Sequence, residues 1–250
     1  MAKSKRKKWI GWLVALVVVL ALVILGDRIA ANVAENKVAA MVANEAASHG
    51  VSSESEPEVD IKGVPFLTQF IGSNYQQIDV TLPDVSSEEL QLEKVDISVK
   101  GVDAPASAVL NGDGEVVAET VDAVVHMGYD ELERILGETV AEVVDVSVES
   151  VDDNVLTVAI SLETQGQTLE LTGELEVTIP GDTLRVAPKN FELGDGAGFP
   201  GSDMLVSQVM SAFEMSLALP QMPYDLQLED PSFGEDSIRI GGTSKNVQLS

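Results

Sequence analysis

The chain of 250 residues has no cysteine. A disulfide, a thiolate nucleophile and a lipid-acylated cysteine are therefore excluded, and an exported domain of this chain must be stabilised by its core alone. Histidine is scarce as well: His49 and His126 are the only two, and neither stands at a metal-ligand or catalytic spacing. No Gly-x-Ser-x-Gly nucleophile motif occurs. We therefore expect a non-enzymatic protein that uses no metal and no cofactor.

Basic residues are also few, with 15 Lys and Arg against 41 Asp and Glu. Five of the basic residues fall within the first eight positions, so 10 remain against all 41 acidic residues, a formal charge of −31 for the rest of the chain. A phosphate backbone would be repelled by this charge, which excludes nucleic acid as a partner. The charge is typical of a highly soluble surface.

An uncharged apolar run, Trp9 to Leu25, follows the basic cluster. As a helix these 17 residues would be about 25 Å long, near the lower limit for crossing a bilayer. Residues 1–26 are therefore predicted to be a membrane anchor, and a signal segment cleaved after Ala31 is the alternative. Because the basic cluster stays inside, both interpretations place residues 27–250 outside the cytoplasm, at the cell membrane or in a periplasm-like envelope space.

Residues 27–250 are predicted to form a single domain. Residues 27–50 carry apolar side chains at helical spacing and end at Gly50, which is typical of a helix C-terminus. Residues 51–58 are a Ser/Glu/Pro linker, and residues 59–250 form a sheet-rich body in which apolar and polar residues alternate. Such alternation predicts an antiparallel sheet with one apolar and one acidic face. Shorter helices are expected at 130–137 and 202–219.

These helices are too few to cover the apolar face of so many strands. A helix is about 10–12 Å across, so a wide flat sheet would keep apolar surface in water. Either the sheet curls around a helix, or something that the chain does not encode covers part of that face. Gly101 and Gly173, which lie inside strands, favour strong curvature. The pattern therefore predicts a groove without identifying what fills it.

The connecting segment GVPFLTQF, residues 63–70, is too apolar for an ordinary surface loop. One interpretation is a bulge or tight turn whose Phe66 and Phe70 close one end of the core. The other is an apolar lip at the mouth of a lipid groove. Methionine is concentrated around the predicted helix at 202–219, where it suits either core filling or a groove for varied chains. These methionines are Met204, Met210, Met215 and Met222.

Three motifs carry a family resemblance. They are GVPFLTQ at 63–69, GSNYQQIDV at 72–80 and LPQMPY at 219–224, and they follow an apolar N-terminal segment and an Ala-rich helix. In this order they resemble the LmeA-like phospholipid-binding family of actinobacterial cell-envelope proteins, over roughly residues 27–250. Val64 stands where the family usually has Phe, and the acidity of the chain makes an anionic headgroup a less obvious ligand.

The resemblance implies the α+β fold of the tubular lipid-binding superfamily, a highly curved antiparallel β-sheet wrapped around a long N-terminal amphipathic helix, with a second helix near the C-terminus. It also implies binding of a phospholipid, of phosphatidylinositol type, and a role in envelope glycolipid (lipomannan-type) biogenesis. The alternative is a ligand-free scaffold that stabilises a membrane glycosyltransferase. The expected lipid-binding residues are Pro65, Phe66, Leu67, Phe70, Met210, Phe213, Leu217, Met222 and Tyr224.

Overall fold

The computed structural model of the chain describes residues 3–48, 50–87, 90–139, 143–152, 155–164, 167–181, 183–194, 202–218, 226–234 and 236–249. The α+β class with a long N-terminal helix is confirmed. The helices are α1 (Lys3–Ser48), α2 (Phe66–Gly72), α3 (Ala106–Asn111), α4 (Tyr129–Thr139) and α5 (Ser202–Phe213). The strands are β1 (Ser52–Ser53), β2 (Glu58–Lys62), β3 (Asn74–Ser86), β4 (Gln91–Asp103), β5 (Val117–Gly128), β6 (Val143–Asp152), β7 (Val155–Thr164), β8 (Gln167–Thr178), β9 (Thr183–Leu193), β10 (Met215–Ala218), β11 (Gln227–Leu228), β12 (Ser232–Phe233) and β13 (Ser237–Gln248).

Helix α1 runs without interruption from the basic cluster through the apolar run into the Ala-rich segment. By length and composition it can cross a membrane, and the large side chains from Leu16 to Leu25 are each more than half exposed. Farther along, Ala31 and Ala34 are buried in the core of the folded body. The helix ends at Ser48, and Gly50 follows with a φ of +74°. This positive φ is the conformation that its predicted role at the helix C-terminus requires.

Eight strands form a first, fully antiparallel sheet. β1 and β2 both pair with β3, which is followed across the sheet by β4, β5 and β13, and β11 and β12 both pair with β13. β1 lies inside the segment that was predicted to be a linker. Ser52 and Ser53 pair there with Ser86 and Val85, so this part of 51–58 belongs to the sheet.

The other five strands form a second antiparallel sheet in the order β10-β9-β8-β7-β6, with α4 packed on β6 and α5 on β9. The helix predicted over 202–219 is wrong in its last third, because α5 ends at Phe213. Residues Met215–Ala218 instead form β10, with Leu217 opposite Leu184 of β9. Pro220 disfavours helix in the residue before it, and pairing with β9 satisfies the backbone groups of the new strand.

Both strand glycines lie where a strand departs from regular geometry. Gly101 has a φ of +59°, and the alternation shifts there, so that Val99 and Val102 are both buried. At Gly173 a Cβ atom would lie 2.3 Å from the ring of Phe191, and the pairing of β8 with β9 shifts register at this point. The aromatic ring therefore packs directly on the glycine backbone, which is a usual device in curved sheets.

Several contacts join the two sheets. The Tyr129 hydroxyl of α4 donates a hydrogen bond to the Gly234 carbonyl beside β12, at 2.8 Å. The backbone N–H of Ile179, just after β8, donates to the Asp230 carboxylate at 2.7 Å. Phe233 of β12 packs against the core of the second sheet. The first sheet thus contributes to the packing of the second.

Candidate functional site

The apolar face of the first sheet is covered on one side and half open on the other. One row of cross-strand neighbours on this face consists of Leu82, Val95, Val125 and Ile240, on β3, β4, β5 and β13. Leu82 is buried, in a cluster with Val42 and Ala46 of α1. The other three members of the row are only half-buried. Cover by α1 therefore decreases from β3 toward β13.

A second row lies beside the first and contains Val80, Ile97, Ala123 and Gly242. Val80 is buried on the α1 side, whereas Ile97 and Ala123 are half-buried. At the far end Leu226 and Leu228 lie over Gly242, since a Cβ there would come within 2.7 Å of Leu226 and 3.2 Å of Leu228. The small side chain of Ala123 leaves a depression in the apolar face between Ile97 and the leucine pair.

We call this surface the first-sheet groove. Its sides are α1 and the pair Leu226 and Leu228, and it is about 10 Å wide from β4 to β13, because neighbouring strands lie about 4.8 Å apart. The floor consists of Val95, Ile97, Ala123, Val125 and Ile240.

The second sheet has the same alternation but a filled interior. Leu156, Ile160, Leu171 and Leu175 are all 0% exposed. Helices α4 and α5 supply the residues that pack on this face. The partial exposure of the first-sheet groove is therefore a property of that sheet and not of the alternating pattern as such.

The opposite face of the first sheet is polar and charged. The Asp122 carboxylate accepts hydrogen bonds from Lys100 Nζ at 2.8 Å and from the Thr243 hydroxyl at 2.9 Å. The Lys100 ammonium is the main cause of a lowered pKa for Asp122. His126 Nε2 lies 3.0 Å from the Asp96 carboxylate on the same face. These paired groups face solvent and leave the groove lined by hydrocarbon.

Gly63, Val64 and Pro65 form a turn, and the rest of the GVPFLTQF segment lies in a short helix, α2. Phe66 is 2% exposed, and its ring centroid lies 5.8 Å from that of Phe70 and 6.4 Å from that of Tyr75. Phe70 is half-buried against the same core. Pro65 and Leu67 are exposed. Of the four predicted lipid-binding residues here, the two aromatic ones are therefore packed in the protein interior.

Asp27, which sequence reasoning missed, holds α2 in place. It is 2% exposed, and its carboxylate accepts hydrogen bonds from the backbone N–H groups of Phe66 at 2.9 Å and Leu67 at 2.8 Å. The bond from Leu67 is the largest cause of the lowered pKa of Asp27, to which Phe66 and the neighbouring Arg28 add. The available signal was the position of Asp27, the first acidic residue after the apolar run, since a carboxylate at a membrane boundary needs partners.

Two of the predicted residues near α5, Met210 and Phe213, belong to the second core. Phe213 is 0% exposed and its ring stacks on Phe191 with a centroid distance of 6.4 Å. Met210 is half-buried and, with Val206 and Leu193, lines a cavity of about 520 Å³ between α5 and β9. Leu217 lies in β10, where only its backbone pairing is described, and Met222 and Tyr224 lie outside the described residues. Among the predicted residues with described side chains, Phe66 and Phe70 thus pack on one core and Met210 and Phe213 on another.

A larger cavity of about 870 Å³ lies between α1 and the strands β2 and β3. It is lined by carboxylates, among them Glu35, Glu58 and Asp60, and by Lys62. One of these carboxylates, Glu35, accepts a hydrogen bond from the Ile61 backbone N–H at 3.0 Å and so covers the edge of β2. Because burial of a charge beside hydrocarbon is costly, this cavity is unsuited to acyl chains.

The family model for LmeA-like phospholipid-binding proteins matches residues 25–243 of the chain. The chain belongs to this family. No curated protein and no solved structure matches the chain. The match confirms the resemblance carried by the motifs at 63–69 and 72–80, and its range includes α2, the first-sheet groove and α5. The family is described as phospholipid-binding, and binding of a phospholipid requires an apolar surface large enough for acyl chains.

Proposed function

We propose that the protein binds a phospholipid without catalysing a reaction, and that the acyl chains lie in the first-sheet groove. The observation that carries this proposal is the half-buried state of Val95, Val125 and Ile240, in a row whose fourth member, Leu82, is buried under α1. A folded protein gains free energy when such a surface is covered. An acyl chain is a cover of matching chemistry for the part of this face that the described residues leave half-buried.

The magnitude of this free-energy gain favours reversible exchange of the lipid with the membrane over permanent binding. Each methylene moved from water to the groove would contribute about 0.8 kcal/mol, so ten methylenes would contribute about 8 kcal/mol. A lipid leaving a bilayer loses nearly the same contribution, because the membrane interior is equally apolar. The net affinity relative to the membrane is therefore set by headgroup contacts and by the costs of ordering the ligand.

For the headgroup and the biological role we propose what the family resemblance implies. The ligand is then a phosphatidylinositol-type lipid, and the protein supports biogenesis of a lipomannan-type envelope glycolipid. The net charge of the exported part opposes long-range attraction to anionic lipid, so recognition of an inositol ring would rest on short-range hydrogen bonds. We place the folded body outside the cytoplasm, with α1 as its link to the membrane.

Two neighbouring residues of β5 offer a matched test. Ala123 lies on the groove floor. The side chain of Val124, the next residue, lies on the polar face of the sheet, where its cross-strand neighbours are Asp96 and Gly241. Ala123→Phe should fill the groove and greatly reduce the lipid that travels with the protein. Val124→Phe adds an aromatic ring to the same strand and should leave the lipid content unchanged.

The measurement is native mass spectrometry of residues 27–250, followed by solvent extraction and identification of the lipid. A diacyl lipid in the parent and Val124→Phe proteins, absent from Ala123→Phe, is the expected result. Equal lipid in all three proteins would contradict the position of the site. A parent protein that carries no lipid, and takes up no phosphatidylinositol from vesicles, would contradict lipid binding and favour a scaffold for a membrane glycosyltransferase.

A further inference from the structure

The outer side of α2 carries an aliphatic surface that has no place in the core. Val64 is 66% exposed, Leu67 is 40% exposed and Ile71 is 82% exposed. Leu67 and Ile71 are four residues apart in α2 and therefore lie on one side of the helix, while Phe66, Gln69 and Phe70 turn inward. Val64 is exposed in the turn just before the helix. Exposed aliphatic side chains grouped in this way are typical of an interaction surface.

The position of this surface is fixed relative to the membrane helix. Asp27, only two residues beyond Leu25, accepts hydrogen bonds from the first two backbone N–H groups of α2. Arg28 Nη2 donates a hydrogen bond to the Gly63 carbonyl at 3.2 Å. On the other side of α2, Gln69 donates to the Lys62 carbonyl at 3.1 Å and accepts from the Gln76 backbone at 2.9 Å. α2 is thus tied to the start of the exported part of α1 and to β2 and β3.

The length of the apolar run places α2 at the membrane boundary. From Trp9 to Leu25 the helix spans about 25 Å, whereas the hydrocarbon region of a bilayer is about 30 Å thick. Leu25 therefore lies near the outer limit of the hydrocarbon region, and Asp27 and Arg28 follow within about 5 Å of it along the helix. The buried and fully hydrogen-bonded state of Asp27 allows a carboxylate at this depth.

We propose that Val64, Leu67 and Ile71 insert into the outer boundary of the bilayer and form a second membrane contact beside the anchor. Interfacial segments of this kind bury their apolar side about 5–10 Å into the boundary between headgroups and acyl chains. The high negative charge of the exported part opposes electrostatic adsorption, so apolar insertion is the means of contact that remains. The contact holds the folded body against the surface from which a lipid would be taken.

The absence of native cysteine permits a direct test in the full chain. Single-cysteine variants Ile71→Cys and Ser107→Cys are labelled with an environment-sensitive fluorophore and reconstituted into phosphatidylcholine vesicles that contain nitroxide-labelled lipid. Ser107 is exposed and lies in α3, which packs on α1. Gly112, which caps α3, is close to Met41, about 24 Å farther along α1 than Leu25. Both positions are exposed, so neither substitution should disturb folding.

The lipid nitroxide should quench the label at position 71 several-fold more strongly than the label at position 107. Equal quenching at the two positions would overturn the proposal, because it would place α2 in water. A label at position 71 that is shielded from solvent but not quenched by lipid would also overturn it. If that shielding increased with protein concentration, the surface would be a contact between two copies of the chain.

Discussion

Replacement of Phe66 by alanine tests whether α2 is part of the core. Phe66 is 2% exposed, and truncation of a buried phenylalanine costs about 3–5 kcal/mol of unfolding free energy. Its ring also contacts those of Phe70 and Tyr75, and each aromatic pair adds about 0.5–1.5 kcal/mol beyond simple burial. We therefore expect Phe66→Ala to lose about 4–5 kcal/mol, in the upper part of the range for such truncations.

The matched control is Ile71→Ala in the same helix. Ile71 is 82% exposed, so its replacement should change the free energy of unfolding by no more than about 0.5 kcal/mol. The two substitutions have the same local effect of adding an alanine to α2. A difference in unfolding free energy between the two variants is therefore due to burial of the side chain and not to helix propensity.

Urea unfolding of the full chain in detergent micelles, followed by far-ultraviolet circular dichroism, gives both values. Tryptophan fluorescence is unsuitable because Trp9 and Trp12, the two tryptophans, lie in the apolar run. A loss below about 1 kcal/mol for Phe66→Ala would refute the inward packing of this ring. It would restore the interpretation of Phe66 as an exposed lip of the lipid groove.

Four further predictions follow from local geometry. Gly173→Ala should cost about 1–3 kcal/mol in urea unfolding because its Cβ would meet the Phe191 ring, and adding Phe191→Leu should recover part of that loss. Asp27→Asn should lower stability at neutral pH. Because the folded state lowers the pKa of Asp27, the difference from the parent chain should begin to shrink as the pH falls below about 4 and should disappear only below the folded-state pKa, which urea titrations across this range measure. Met210→Trp should fill the cavity between α5 and β9 without changing the lipid found by solvent extraction, and loss of lipid would move the site to that cavity. Mass-spectrometric mapping of the membrane-extracted protein should find Asp27 retained, whereas an N-terminus at Asn32 would contradict the anchor, because cleavage there removes the residue that holds α2.

Periodicity was a sufficient guide wherever a segment has one polar and one apolar side along its whole length. The strands β7 and β8 are examples, because every second residue from Leu156 to Leu162 packs inward as predicted. The part of α1 from Asp27 to Ser48 was predictable for the same reason, with Gly50 marking its end.

Periodicity failed where both sides of a segment are apolar. In α2 the aromatic side chains and the aliphatic ones occupy different sides, and composition alone does not tell which side is buried. The answer depends on the hydrogen bonds from Phe66 and Leu67 to Asp27, a residue about 40 positions earlier in the chain. The predicted end of α5 was wrong for a related reason, since the pairing of β10 with β9 is a long-range contact that outweighs helix propensity.

The open side of the first sheet follows from how the helices are distributed. The sheet is six strands wide at its middle, which corresponds to about 24 Å. Helices α4 and α5 lie close in sequence to β6 and β9 and pack on them, and the first 23 residues of α1, Lys3 to Leu25, are the basic cluster and the apolar run. The rest of α1 is a single helix about 10–12 Å across, and it crosses the sheet. Ala31 and Ala34 share a core cluster with Val99 and Val121, whereas Val42 and Ala46 pack against Val80 and Leu82. The rows of Leu82 and Val80 are half-buried from β4 to β13, whereas Val99, Val121 and Val247, on the same strands, are buried. The groove therefore occupies one end of these strands, at the part of the face that α1 leaves half-buried.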